Sequence, residues 1–291
     1  MYRIGLIGSD NSHGLGFAKL CNFPDEKTGE FLYPDMRITA VYGHEKERTE
    51  QVARDGAIEK IYERAEDMIG EVDSVMVIFR HGSKHLKYTL PFIEAGLPVW
   101  VDKPFTSDVK EAEELAAAAK RKNIPIAGGS SVIFSPDVQT LAFAAQKDAS
   151  LGGVIAGYLN FPGDIRSEYD GIFFYGPHSV EMMLAIFGRG ALSVTSTVAN
   201  EKLVAVVRYP TFHVVLNFVQ TYHRFDGIVY GENKTVAREI DTAATQKLGL
   251  DEFYEMLKTK KSPRPIEDQV LSVKILAAME KSVKNGGEVF I

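Results

Sequence analysis

The stretch Arg3–Leu20, RIGLIGSDNSHGLGFAKL, runs an apolar strand into a glycine and then starts a helix. Ile4 to Ile7 is the apolar run, Gly8 ends it, and helical spacing begins by Leu15. A strand that turns on glycine into a helix is the opening unit of a doubly wound α/β sheet. In the G-x-G-x-x-G form of that turn, glycines would stand at 8, 10 and 13, where this chain has Gly8, Asp10 and His13. The second position, where backbone must approach a phosphate closely, therefore carries a carboxylate, and the third carries an imidazole.

Outward from that loop the same rhythm repeats. YRIGLIG, RITAVY, SVMVIF, LPVWVD and IPIAGG read as strands, separated by helical stretches such as HEKERTEQVARDG, HLKYTLPFIEAG and SDVKEAEELAAAAKRKN. Strands buried on both faces and joined by helices imply a parallel sheet of right-handed βαβ units. Ligands of such sheets sit beyond the carboxyl ends of the strands. The opening loop lies there, as do Phe79 at the end of the third of these strands, Arg80 and His81 after it, and Asp102-Lys103-Pro104 at the end of the fourth.

After Gly128 the pattern changes. PDVQTLAFAAQK reads as a helix, GGVIAGYLNF as a strand and HSVEMMLAIFG as a helix. LSVTSTV, LVAVVRY, FHVVLNFV and GIVYGENKTVAREI follow at the spacing of an antiparallel sheet, and two helices close the chain. The expectation is an α/β domain over residues 1–128 with a doubly wound parallel sheet. An α+β domain with a mostly antiparallel open sheet follows over 129–291, its last helix free to pack back on the first domain. A cleft between the two is the expected active site.

Composition narrows the function classes. The chain has 291 residues, 45% hydrophobic and 25% charged, with a formal net charge of −6. These are globular values, and the acidic balance argues against nucleic-acid binding. Cys21 is the single cysteine, which excludes an intrachain disulfide and a thiolate metal cluster. No run reaches the roughly 20 apolar residues that span a bilayer, and the N-terminus opens directly into a strand. A cytoplasmic protein without membrane or nucleic-acid partners is expected.

The run Glu94–Pro136, EAGLPVWVDKPFTSDVKEAEELAAAAKRKNIPIAGGSSVIFSP, resembles the Gfo/Idh/MocA family, the relatives of glucose–fructose oxidoreductase and inositol dehydrogenase. The family's Glu-Lys-Pro after the fifth strand is matched by Asp102-Lys103-Pro104. Its histidine at the start of a C-terminal-domain helix is matched by His178 in FFYGPHSVEMMLAIFG. Gly8-Ser9-Asp10-Asn11-Ser12-His13 and Tyr175-Gly176-Pro177-His178 with Glu181 are similar to one subgroup, with a Gly-x-Asp-x-Ser-His loop and a Tyr-Gly-x-His-x-x-Glu motif. The resemblance implies a Rossmann domain using NAD or NADP. It also implies hydride transfer between nicotinamide and a sugar, polyol or related hydroxy compound, in a homodimer or homotetramer built through the C-terminal sheet.

By resemblance, Lys103 meets substrate and nicotinamide. A buried ammonium there can steady the alkoxide character that develops as hydride leaves. Asp102 stands where the family has glutamate. His178 is the candidate base, since imidazole titrates near neutrality. Family members often carry an aspartate four residues earlier; this chain has Phe174, leaving Tyr175 to supply a polar contact and Glu181 to orient the ring. Residues 8–13 are expected around the pyrophosphate and His85 near the cofactor. Gly43 and His44 take the turn where an acid normally binds the adenosine ribose. With that acid missing and Lys46 and Arg48 close behind, the balance tips slightly to NADP. Structural roles stand beside these: a helix cap for Asp10 or Ser12, a solvated first turn for HEKER, a salt bridge for Lys103, a structural histidine at 178.

Two further readings compete. The altered loop and Phe174 suit a non-catalytic ligand sensor on the same fold. Asp10 and His13, His81 and His85, and His178 and Glu181 would suit a metal-assisted lyase or isomerase if the three pairs converged. No contiguous motif supports a metal, and none is assigned.

Overall fold

Short strands buried on both faces organise the first half. In chain order the elements are β1 (Tyr2–Ile7), α1 (Ser12–Asn22), β2 (Met36–Tyr42), α2 (Lys46–Asp55), β3 (Lys60–Ile61), β4 (Ser74–Val77), α3 (His85–Glu94), β5 (Val99–Asp102), α4 (Val109–Lys122) and β6 (Ile126–Gly129). Every residue of β4, β5 and β6 is buried, as a parallel sheet covered on both sides requires. The computed structural model, which describes residues 1–219 and 224–291, orders these strands β3-β2-β1-β4-β5-β6. All are parallel. The order reverses between β1 and β4, so the loops after β1, β4 and β5 gather at one end of the sheet beside the switch point. β3, two residues long, carries too little pattern to be read from sequence.

The second half contains α5 (Pro136–Gln146), β7 (Val154–Phe161), α6 (Ile172–Phe187), β8 (Ser193–Ala199), β9 (Lys202–Arg208), β10 (His213–Phe218), β11 (Phe225–Gly231) and β12 (Thr235–Ile240). It ends with α7 (Thr245–Thr259), α8 (Ile266–Asn285) and β13 (Glu288–Phe290). The sheet order is β12-β11-β7-β10-β9-β8-β13, antiparallel except where β10 pairs with β7. In β9 burial alternates strictly, Leu203, Ala205 and Val207 facing inward and Val204 and Val206 outward. FHVVLNFV has apolar residues on both phases, the pattern of a strand covered on both faces. Here Val214, Leu216 and Phe218 are buried, whereas His213 is exposed and Val215 and Asn217 are half-buried.

The compact units do not divide at 128/129. One comprises Met1–Thr106, Lys110–Gly129 and Gln246–Ile266, the other Ser107–Val109, Ser130–Thr245 and Glu267–Ile291. The helix that returns to the first unit is therefore α7, not the last helix. Leu250, Phe253, Met256 and Leu257 of α7 are buried in the same cluster as Ile4, Leu6 and Trp100. Phe253 meets the Trp100 ring edge-on with centroids 5.9 Å apart, and Tyr33 donates to Asp251 at 2.9 Å. Cys21 is buried in this core, which pushes its thiol up to about 12 and leaves it inert.

Candidate active site

The opening loop is held by its own side chains. Gly8 N–H donates to Tyr42 O at 2.8 Å, and the buried Ser9 hydroxyl pairs with Thr49 at 2.8 Å. Asn11 caps α1, its Oδ1 accepting from His13 N at 3.1 Å. The capping role thus falls to Asn11, not to Asp10 or Ser12. Asp10 is turned aside: its Oδ2 accepts the Arg80 backbone N–H at 3.3 Å, and its Oδ1 is buried without a hydrogen-bond partner. Ser12, the first residue of α1, is exposed.

Gly14, and not residue 13, takes the helix-packing role of the fingerprint's third glycine. A Cβ there would lie 2.8 Å from Ile78 Cδ1 and 3.1 Å from Leu6 Cδ2. With Gly14 as that glycine, the turn from Gly8 is one residue longer than G-x-G-x-x-G, and His13 is freed to point elsewhere.

It points at Asp102. His13 Nδ1 lies 2.8 Å from Asp102 Oδ2, and Asn11 Nδ2 donates to the same oxygen at 3.2 Å. Asp102 is 1% exposed. Burial would push its carboxyl up, but the charge and hydrogen bond of His13, with Lys103 and His85 nearby, hold it below the ordinary carboxylate range. Lys103, 4% exposed, follows directly. Burial pushes its ammonium down to about 8, against the pull of Asp102 and with help from the Arg80 charge. The strand ends thus assemble Asn11, His13, Asp102 and Lys103 from positions about ninety apart in sequence.

His85 does not face a ligand. It is fully buried, with Nδ1 2.6 Å from Pro104 O and Nε2 2.9 Å from Phe79 O. Burial lowers its pKa, and the two carbonyls pull the other way. Its place is to fasten the segment after β4 to Pro104. Among the described residues, no three or more His, Cys, Asp or Glu side chains come together as a metal site. His13 engages Asp102, and both His85 nitrogens face backbone carbonyls.

At the end of β2, Gly43 has no room for a side chain, since a Cβ would lie 2.0 Å from Ser9 Oγ and 2.4 Å from Thr49 Oγ1. His44 stacks on the buried Phe79, centroids 5.0 Å apart, with Nε2 2.7 Å from Tyr88 Oη. Lys84 Nζ lies 3.4 Å from His44 Nδ1. Lys84 and Tyr88 carry no motif, and the sequence offered no signal for them.

Within the second unit, His178 is the seventh residue of α6, which starts at Ile172 and so earlier than Gly176 and Pro177 suggest. His178 Nδ1 lies 2.7 Å from Ser130 Oγ, and its ring stacks on Phe161. Glu181, 1% exposed, accepts the Ser130 N–H at 2.9 Å. Ser130 thus touches both Glu181, through its backbone N–H, and His178, through its hydroxyl. The half-exposed Tyr175 packs against Phe174, centroids 4.7 Å apart, and toward Phe161.

A doubly wound parallel sheet in the order β3-β2-β1-β4-β5-β6, with a buried Asp-Lys-Pro at its carboxyl end, is the architecture of a Rossmann domain. Residues 2–129 of the chain match the Gfo/Idh/MocA model, described as an oxidoreductase family with an NAD-binding Rossmann fold. It is 29% identical over 126 residues to the uncharacterized oxidoreductase YhhX of Escherichia coli, covering 40% of this chain and 35% of that one. It is 23% identical over 240 residues to the NADP(+)-dependent scyllo-inositol 2-dehydrogenase IolW of Bacillus subtilis, covering 79% and 62%. The chain thus spans only part of the length of these curated relatives. Its fold is that of GenD2 from gentamicin A biosynthesis, solved in complex with NAD, at a TM-score of 0.84 and 16% identity over 100% of this chain and 96% of that one.

Proposed function

We propose that this chain is an NAD(P)-dependent oxidoreductase that moves hydride between nicotinamide and a hydroxyl-bearing carbon of a sugar, polyol or related compound. The observation that carries the reading is Lys103, buried at a parallel-strand end with its ammonium near 8. A lysine so placed can donate to a substrate oxygen and exchange its proton close to neutral pH. Exposed Ser12 at the start of α1 and the turning aside of Asp10 support a pyrophosphate at this loop. Asp10 Oδ1, a buried acceptor lacking a donor, suits a ligand hydroxyl.

Hydride acceptance or donation is the chemistry a bound nicotinamide would supply, with residues 8–13 holding the pyrophosphate. Asp102 keeps the neighbouring lysine charge compensated, and His13 and Asn11 fix the carboxylate. Lys103 holds the substrate oxygen as its proton leaves. His178, oriented by Ser130 in its own unit, is the proposed carrier of that proton.

Fluorescence titration with NADH and NADPH, followed by a turnover screen on inositols and sugars, tests the reading. Lys103→Met is expected to lower turnover by about 10²-fold or more while nucleotide still binds. Failure of both nucleotides to bind below millimolar concentration would overturn it.

The outward Val204 and Val206 of the second unit's sheet support the expected homodimer or homotetramer, which light scattering tests. Among the described residues no helix is long and apolar enough to cross a membrane. The lone reduced cysteine accords with a cytoplasmic enzyme.

A further inference from the structure

The corner beyond β2 and β4 is where the adenosine ribose of a bound dinucleotide would lie. In a Rossmann unit the end of the second strand meets the adenosine ribose, and an acid there takes the 2′-hydroxyl of NAD. Here that acid is sterically excluded, because Gly43 is packed against the Ser9–Thr49 hydroxyl pair with no space for a Cβ.

Basic groups occupy the surroundings instead. Arg48 lies across the opening loop, Nε donating to Ser9 O at 3.1 Å and Nη1 to Gln51 at 2.8 Å. Lys84 reaches over from the segment after β4, within 3.4 Å of His44 Nδ1 and 5.3 Å of the Phe79 ring centroid. Lys87 lies over the Tyr88 ring and its charge acts on His44. Among the described residues, none of these three cations is in an ion pair with a carboxylate. Lys46, which the sequence also suggested, is instead directed at Glu50, 3.9 Å away. Lys84 and Lys87 are the cations and Asp10 and Glu45 the acids whose charges reach His44, while Arg48 lies beyond them on the opening loop.

We propose that the cofactor is NADP and that Lys84 and Arg48, with Lys87 behind them, hold its 2′-phosphate beside His44. This rests on the oxidoreductase reading and adds the chain's own selection between two cofactors. A 2′-phosphate supplies the dianion that these cations, none of them ion-paired among the described residues, lack, and Gly43 offers a bare 2′-hydroxyl no side chain to bind. The stack of His44 on Phe79, steadied by Tyr88, holds the imidazole beside Lys84.

The test is binding, measured without turnover. NADPH should bind at least about tenfold more tightly than NADH at low salt, and the ratio should fall as ionic strength rises. Lys84→Ala and Arg48→Ala should weaken NADPH severalfold and leave NADH nearly unchanged, while Lys84→Glu should bring the two close to parity. Lys84 and Arg48 are half-buried and outside the core, so the variants should fold; circular dichroism checks this. Equal binding of NADH and NADPH by the native chain would overturn the inference and leave the oxidoreductase reading intact. So would a preference that survives the Lys84→Ala Arg48→Ala double variant. Binding of neither nucleotide would overturn both.

Discussion

Asp102 is one methylene shorter than the glutamate of the family tripeptide, and its carboxylate stays close to β5. There one oxygen receives both His13 and Asn11. The loop that departs from the glycine pattern and the tripeptide that departs from Glu-Lys-Pro are thus two sides of one contact. Lys103 beside it makes the charge state of this cluster measurable. A lysine with a folded pKa near 8 and an unfolded value of about 10.4 binds its proton more weakly when folded. Between those pH values the unfolded chain carries a proton that the folded chain has released, so this group makes stability rise with pH. The rise amounts to about 3 kcal/mol, all of it lost again below pH 8. Urea denaturation across that range should show it as the excess slope of the native chain over Lys103→Met. Lys103 was legible from Asp-Lys-Pro alone. The partnership of His13 with Asp102 was not, because no local pattern joins residues 89 apart; nor was Ser130, whose setting reads as a turn.

At the scale of elements, burial on both faces made β1, β2, β4, β5 and β6 readable. Strands as short as β3 and β13 offer no period to detect. α6 was underestimated because Gly176 and Pro177 resemble breakers, although the helix runs through both. For α1 the decisive residue is Gly14, where the helix comes down on β1 and on Ile78, the residue after β4. Gly14→Ala should cost about 1–3 kcal/mol through overpacking against Ile78 and Leu6. Adding Ile78→Val should recover part of that loss, since it removes the nearest methyl, and thermal or urea denaturation of both variants measures it. A Gly14→Ala chain as stable as the native one would show that α1 shifts freely on the sheet.

For the whole molecule, the two-part organisation was readable and the assignment of α7 was not. Periodicity announces a helix with an apolar face but does not say which core that face enters. Here the face joins the first unit, so Phe253→Ala, at a fully buried position, should cost about 3–5 kcal/mol. It should appear as lost near-ultraviolet signal from Trp100, the only tryptophan, which Phe253 touches. An unchanged Trp100 environment would place α7 outside that core.

The return of α7 also sets a timetable for synthesis. A ribosome that has finished residue 129 has made the whole parallel sheet but not the helix that covers part of its core. The following 116 residues, 130 to 245, belong to the other unit and must emerge first. At about 5–20 residues per second that interval lasts on the order of ten seconds. During it the surface destined for Leu250, Phe253 and Met256 is open to chaperones, and the unit begun first waits for residue 266 to be complete.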